Sequence, residues 1–215
     1  VSNLKESPNY RNELISLIES SYNYQNKNSF EIDFFPLMKI SNAENNIILI
    51  KASTKELIGH IGVSNRDLCF NKNTYPVILI GGIVINSKFQ KQGYFSLLMN
   101  KVLNKYNNNL FFLLWSDLNL LYKKFGFIEA GIQIQSGNKR FFPQENIKQT
   151  KLNLLSHQHQ NQIRELYKNE YSQYFTFARE KKEWDDISQI TSIDILYTVK
   201  NNSISSYLFK GKGED

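Results

Sequence analysis

Residues Tyr75 to Asn104 read YPVILIGGIVINSKFQKQGYFSLLMNKVLN, and this stretch decides the fold. Val77 to Ile85 is rich in β-branched residues and predicts a buried strand, with Gly81-Gly82 inside it as the signature of a bulge. The alternative is that the two glycines only relieve crowding beneath a helix. Beyond Gly93, apolar residues fall at Phe95, Leu98, Met99, Val102 and Tyr106, the one-face spacing of a helix. Between strand and helix lies Gln90-Lys91-Gln92-Gly93-Tyr94-Phe95. A turn that hands successive backbone N–H groups to a helix start makes a cradle for an anion. Those donors have no partner within the helix, and the helix dipole favours negative charge there. A plain strand-to-helix connection is the other reading of the same residues.

The order strand, Gln-x-x-Gly-x, helix resembles the acyl-CoA-binding motif of GCN5-related N-acetyltransferases (GNAT), with Phe95 standing where that family carries a small residue. Leu121-Tyr122-Lys123-Lys124-Phe125-Gly126-Phe127 is similar to the family's second signature, Leu-Tyr-x-x-x-Gly-Phe. The resemblance covers roughly Ile47 to Ile134. It implies an α/β fold, a mixed and partly splayed β-sheet flanked by helices, in a domain spanning 1–146. It also implies an enzyme, an N-acyltransferase moving an acetyl or other acyl group from acetyl-CoA (or another acyl-CoA) to a small amine or peptide amine. The alternative is a catalytically silent acyl-CoA-binding or protein-interaction module with the same fold.

By the same resemblance, the cofactor's pyrophosphate falls to the backbone of Gln90, Lys91, Gln92, Gly93, Tyr94 and Phe95. Its pantetheine arm would pair with Ile83, Val84 and Ile85 as an extra strand would. Lys88 and Lys91 would add charge at the mouth, or serve as ordinary surface. Tyr122 matches the family's general acid; a phenol suits the protonation of a departing thiolate. As a residue on the apolar face of its own helix it also reads as core with its hydroxyl at the rim. Many family members carry a Glu on the central strand, but Val77 to Asn86 holds no carboxylate. Asp117, at the end of the next strand, is the candidate base, with Glu129 and His60 behind it. Asp117 also reads as a helix cap, and His60 as a satisfied core or edge residue.

Composition sets the outer limits. The 215 residues hold enough apolar sequence for a proper core, and 1 Cys excludes an intramolecular disulfide or thiolate cluster. No apolar run is long enough to cross a membrane, and Val1 to Ser20 lacks a signal-peptide layout, so a cytoplasmic setting is the expectation. The net charge of +6 admits nucleic acid, an acidic partner or a phosphate-bearing cofactor. Lys and Arg are scattered without a dense run, so nucleic acid is not expected. His157 and His159 lie two apart, facing different ways on a helix, and no metal site is expected. A homodimer is left open.

Outside the central unit, Ser7 as cap and Pro8 in the first turn predict a helix over Asn9 to Tyr22. Ser29 to Met38 is aromatic, broken by Pro36, and ambiguous between a short helix and a packed loop. Glu31 and Asp33 within it read either as two solvated charges or, by the resemblance, as groups attracting a cationic amine. Asn46–Ser53 and Glu56–Val63 predict strands joined by Thr54-Lys55, with Leu68–Phe70 as an extension. Asn107–Asn109 ends the central helix, and Leu110–Trp115 predicts a strand reached by a right-handed crossover. Ser116-Asp117 caps a short helix from Leu118, Gly126 stops it, and Phe127–Gln135 returns as a strand. Asn138–Pro143 is a basic, aromatic turn. The segment 147–215 predicts a smaller α+β region: a strand over Thr150–Leu155, helices over Gln158–Tyr171 and Arg179–Ile190, and a hairpin turning at Asn201-Asn202. Its helix–helix–strand–strand order echoes the start of the first domain, suggesting a partial second copy.

Overall fold

The computed structural model describes residues 1–24, 29–71, 73–107, 111–131, 147–171 and 174–211. Its frame is a mixed six-stranded sheet. Five strands run in the order β1 (Ser2–Asn3), β2 (Asn46–Ile50), β3 (Leu57–Phe70), β4 (Asn73–Ile85) and β5 (Phe111–Leu113). All neighbours are antiparallel except β4 and β5, which run parallel. Strand alternation divides the core between the two faces. Ile47, Leu49, Ile61, Val63, Ile78 and Ile80 point to one side, where the helix α4 (Tyr94–Lys105) buries Leu98, Met99 and Val102 completely. Ile48, Leu57 and Val84 point to the other, against Leu14 and Ile18 of α1 (Arg11–Ser21), Phe30 of α2 (Phe30–Asp33), and Leu37 and Met38 of α3 (Phe35–Met38).

The strand–turn–helix reading of the central stretch holds: β4 carries the bulge and α4 follows. Several boundaries differ for local reasons. The short edge strand β1 has no sequence signal; it pairs only Ser2 with Ile48 and Asn3 with Ile47. The helix α1 is led by a 3-10 turn over Pro8–Tyr10, and Ser7 does not cap it; its hydroxyl lies 3.0 Å from Ser2 Oγ. The β2–β3 connection is wider than Thr54-Lys55, because the Lys55 N–H folds back onto the Lys51 carbonyl. The short helix α5 (Asn119–Lys123) has Leu118 at its N-cap; Ser116 Oγ accepts the Leu118 N–H, and Asp117 takes no part. Phe127–Gly131 form no strand, and the remainder of that expected strand lies outside the described residues, as do Asn108, Asn109 and the Asn138–Pro143 turn.

In the C-terminal part, β6 (Ile147–Thr150) precedes the expected Thr150–Leu155 strand. Leu152–Leu154 instead form a 3-10 turn that buries Leu152. The helix α6 (His157–Tyr171) follows. The short strand β7 (Thr176–Phe177) joins the main sheet on β3, and the helix α7 (Lys181–Ser188) buries Trp184. The strands β8 (Asp194–Lys200) and β9 (Ser203–Lys210) form the hairpin with Asn201 and Asn202 both at positive φ, as its tight turn requires. This second sheet, β6–β8–β9, has its own core of Ile163, Tyr167, Trp184, Ile195 and Ile204. The two parts are also joined by a Lys39–Asp186 ion pair, a hydrogen bond from Ser192 Oγ to Asp33, and the stacked rings of Phe70 and Phe175.

Candidate active site

The decisive geometry is where β4 loses its parallel neighbour. Among the described residues, pairing with β5 covers only Val77, Ile78 and Leu79, yet β4 continues to Ile85. On its other edge β4 stays paired with β3 through Ile85, interrupted at one place. His60 opposes Val84 and Gly62 opposes Gly81, so Gly82 and Ile83 together face Ile61 alone. Gly82 sits at φ +59, so this is a bulge of the type that places glycine in the left-handed region.

Beyond the bulge, the Asn86 N–H bonds the Ile58 carbonyl at 2.8 Å, which turns the peptide groups of Asn86 and Val84 toward β3. Ile83 and Ile85 therefore face the gap; Val84 does not. Their carbonyls are already taken. Tyr22 Oη donates to Ile83 O at 2.9 Å and Gln90 Nε2 donates to Ile85 O at 3.1 Å. Ladder alternation beyond the bulge turns the Ile83 and Ile85 N–H groups to that same side.

The turn after β4 supplies the second half of the site. A 3-10 turn over Ser87–Phe89 is fixed by Asn86 Oδ1, which accepts the Lys88 N–H, and by Gln92 Nε2, which donates to Lys88 O. Lys91 then takes φ +61 and Gly93 φ +84. The first intrahelical bond of α4 runs from Leu97 N–H to Gly93 O at 3.1 Å. Among the described residues, the N–H groups of Lys91 through Ser96 have no protein acceptor. A Cβ built on Gly93 would meet nothing within 4 Å, so the corner is open. Glycine is needed here for its backbone angle, not for lack of room. Lys88 and Lys91 are exposed at its rim.

Phe95 contributes its backbone to this corner while its ring turns inward. It packs edge-on against Tyr122 at 5.9 Å and Phe125 at 5.4 Å. The departure from a small residue thus fills the space behind the helix start. Tyr122 lies on α5 and is buried, with Phe127 edge-on to its ring at 6.0 Å. Burial pushes its phenol pKa above the usual value, and a hydrogen bond with Ser116 pulls the other way. Burial likewise raises the Tyr22 phenol, and the nearby Tyr122 adds to the rise. Both phenols therefore stay protonated at neutral pH.

The remaining candidates separate. Asp117 is exposed on the loop before α5, close in sequence to Ser116. His60 is fully buried; Nδ1 donates to Gly82 O at 2.7 Å and Nε2 lies 3.0 Å from Asn46 Oδ1. Burial drives its pKa down to about 4. It holds the bulge from behind and does not face the gap. Glu31 pairs with Arg11 and stays partly exposed, while Asp33 is buried and bonded to Ser192, so Asp33 is not a solvated charge. Two residues near the gap carried no functional signal in the sequence. Tyr22 read only as part of an amphipathic helix, and Ser116 only as a strand end and helix cap. Among the described residues no group of three or more His, Cys, Asp or Glu is arranged to hold a metal, and no helix is long and apolar enough to cross a membrane.

Sheet, helices and open corner together define an α/β domain of acyltransferase architecture. A family model described as "Acetyltransferase (GNAT) domain" matches residues 6–130, and the chain belongs to that family. Solved structures agree on the fold. A probable N-acyltransferase from Enterococcus faecalis V583 superposes with TM-score 0.65 at 13% identity, covering 94% of this chain and 52% of its own. A GCN5-related N-acetyltransferase from Anabaena variabilis ATCC 29413 gives TM-score 0.65 at 15% identity, with coverages of 94% and 52%. Saccharomyces cerevisiae N-myristoyltransferase with bound myristoyl-CoA gives 0.63 at 12% identity, covering 97% of this chain and 56% of its own. The chain thus spans about half the length of these structures. No curated protein matches it by sequence.

Proposed function

We propose that this protein is an N-acyltransferase that moves an acetyl group from acetyl-CoA to an amine, in a cytoplasmic setting. The observation that carries the reading is the open corner of unpartnered N–H groups at Lys91–Ser96, set beside the point where β4 and β5 part. Oriented backbone donors at a helix start suit a pyrophosphate. The exposed Lys88 and Lys91 add positive charge at that rim. The Ile83 and Ile85 N–H groups suit carbonyl oxygens of an extended arm laid along β4, one of them polarising the acyl carbonyl.

The bound thioester supplies an activated acyl carbon. Transfer forms a C–N bond and breaks a C–S bond; the amine loses a proton and the thiolate gains one. Tyr122 donates the proton to the thiolate, its phenol kept protonated by burial. Asp117, exposed and unpaired among the described residues, takes the amine proton directly or through solvent. The absence of a carboxylate on β4 favours the second reading, a module that binds acyl-CoA without turnover.

Thermal unfolding with acetyl-CoA tests the binding step. At about 100-fold over the dissociation constant it should raise the midpoint by roughly 5 °C or more, and no shift at millimolar ligand rules out the site. Thiol release with primary amines separates enzyme from module. Tyr122→Phe should lower that rate by about 100-fold while leaving the thermal shift in place.

The C-terminal part fits a partial second copy of the same domain. In both parts a short strand is followed by a 3-10 turn and helices, and two further strands then pair antiparallel in the order first, second, third. β1–β2–β3 and β6–β8–β9 correspond on this reading, as do α1 and α6.

A further inference from the structure

We propose that Tyr22 positions the acceptor amine, its phenol oxygen receiving an amine N–H at the mouth of the gap between β4 and β5. The inference rests on the transferase reading above. Tyr22 follows α1 directly, where its N–H closes the helix on Ile18 O at 2.9 Å. Its hydroxyl reaches across to Ile83, 61 residues away, and donates its one proton to that carbonyl. A phenol has one O–H and two lone pairs, so with its proton committed the oxygen is left as an acceptor. The residue is 51% exposed, and its hydroxyl sits on the Ile83 carbonyl, which faces the gap.

Chemistry then divides the two tyrosines that border the site. A neutral amine brings N–H donors and one lone pair, and only the lone pair attacks the acyl carbon. An acceptor fixed beside the attack line holds an N–H and thereby aims the lone pair. Tyr22 offers that acceptor, and Tyr122 keeps its proton for the thiolate. The same bond shapes the edge for the acyl donor. With Ile83 O already bonded by Tyr22 and Ile85 O by Gln90, the N–H groups on the gap-facing edge of β4 after the bulge suit carbonyl oxygens of the donor. Raised as it is by burial, the Tyr22 phenol is no base, so its part is positioning.

The test is Tyr22→Phe, which removes the hydroxyl and keeps the ring. Thiol release is followed with acetyl-CoA and methylamine, a probe small enough to enter any acceptor pocket. The expected result is a KM for methylamine raised about tenfold, with kcat within about threefold of wild type and an unchanged thermal shift by acetyl-CoA. Tyr22→His, which keeps a ring hydrogen-bonding group, should recover part of the loss. An unchanged KM for methylamine overturns the proposal. So does a KM for acetyl-CoA that rises in step, or a lower unfolding temperature as the sole effect; the hydroxyl would then merely pin α1 to β4. Should wild type bind acetyl-CoA yet release no thiol with methylamine, the transferase reading falls and this one with it.

Discussion

His60 offers a quantitative test of how the bulge is held. Its imidazole is fully buried, with Nδ1 donating to Gly82 O at 2.7 Å and Nε2 at 3.0 Å from Asn46 Oδ1. Burial away from water lowers its pKa from 6.5 to about 4, against the pull of the Gly82 carbonyl. In the unfolded chain the imidazole takes up a proton below about pH 6.5; in the folded protein it does so only near pH 4. Between those values the unfolded state binds more protons, so stability falls as the pH falls. At about 1.36 kcal/mol per pK unit, the loss attributable to this one residue reaches about 2.5 kcal/mol by pH 4.5. The contribution is fully present above pH 6.5 and exhausted below pH 4. Urea unfolding of wild type and His60→Gln at pH 7.5 and 4.5 isolates it, because carboxylate titration is common to both and cancels in the difference. Wild type should lose about 2.5 kcal/mol more than the variant across that interval. A histidine resonance, assigned by its absence in the variant, should titrate near pH 4. Asn46 Oδ1 and Gly82 O are both acceptors, so an imidazolium donating to both is the competing state. If the assigned resonance remains protonated at pH 7, dehydration has been outweighed by those two oxygens and the reasoning fails.

Two further substitutions address the neighbouring glycines. Gly93→Val should cost about 1–2 kcal/mol in unfolding free energy, because φ +84 is unfavourable for a β-branched residue although the space is empty. It should also weaken the acetyl-CoA thermal shift, and an equally stable variant would show that this backbone angle relaxes freely. Gly59→Ala brings a Cβ to 2.5 Å from Ile85 Cδ1 and 2.6 Å from Val84 O. Since the second contact is backbone, β3 and β4 must separate, at about 1–3 kcal/mol by chemical denaturation; no loss would mean the strands adjust without strain.

The central stretch was legible because each of its signals is local. β-branched residues marked the strand, Gly81-Gly82 the bulge, and apolar spacing put Leu98, Met99 and Val102 on the buried face of α4. Motif spacing carried the family. The errors arose where a distant partner decides. β1 is a strand only because Ile47 and Ile48 offer an edge. Leu152 and Leu155, which read as a strand, are drawn into the core beneath α6. Val84 shares its composition with its neighbours, and only the bulge register turns its peptide groups toward β3. Tyr22 has no local mark at all, since its partner lies on another element, and Asp33 meets Ser192 far along the chain.

Because β-strand sidedness alternates residue by residue, the extra residue at the bulge acts as a parity switch. From Val77 to Leu79 the strand is committed to its two neighbours; beyond Gly82, the odd residues look outward and the even ones inward. Excising Gly82 would exchange those roles, presenting Val84 where Ile83 and Ile85 now stand and leaving both hydrophobic layers mismatched. One glycine therefore sets the handed pattern of donors that any extended guest must read.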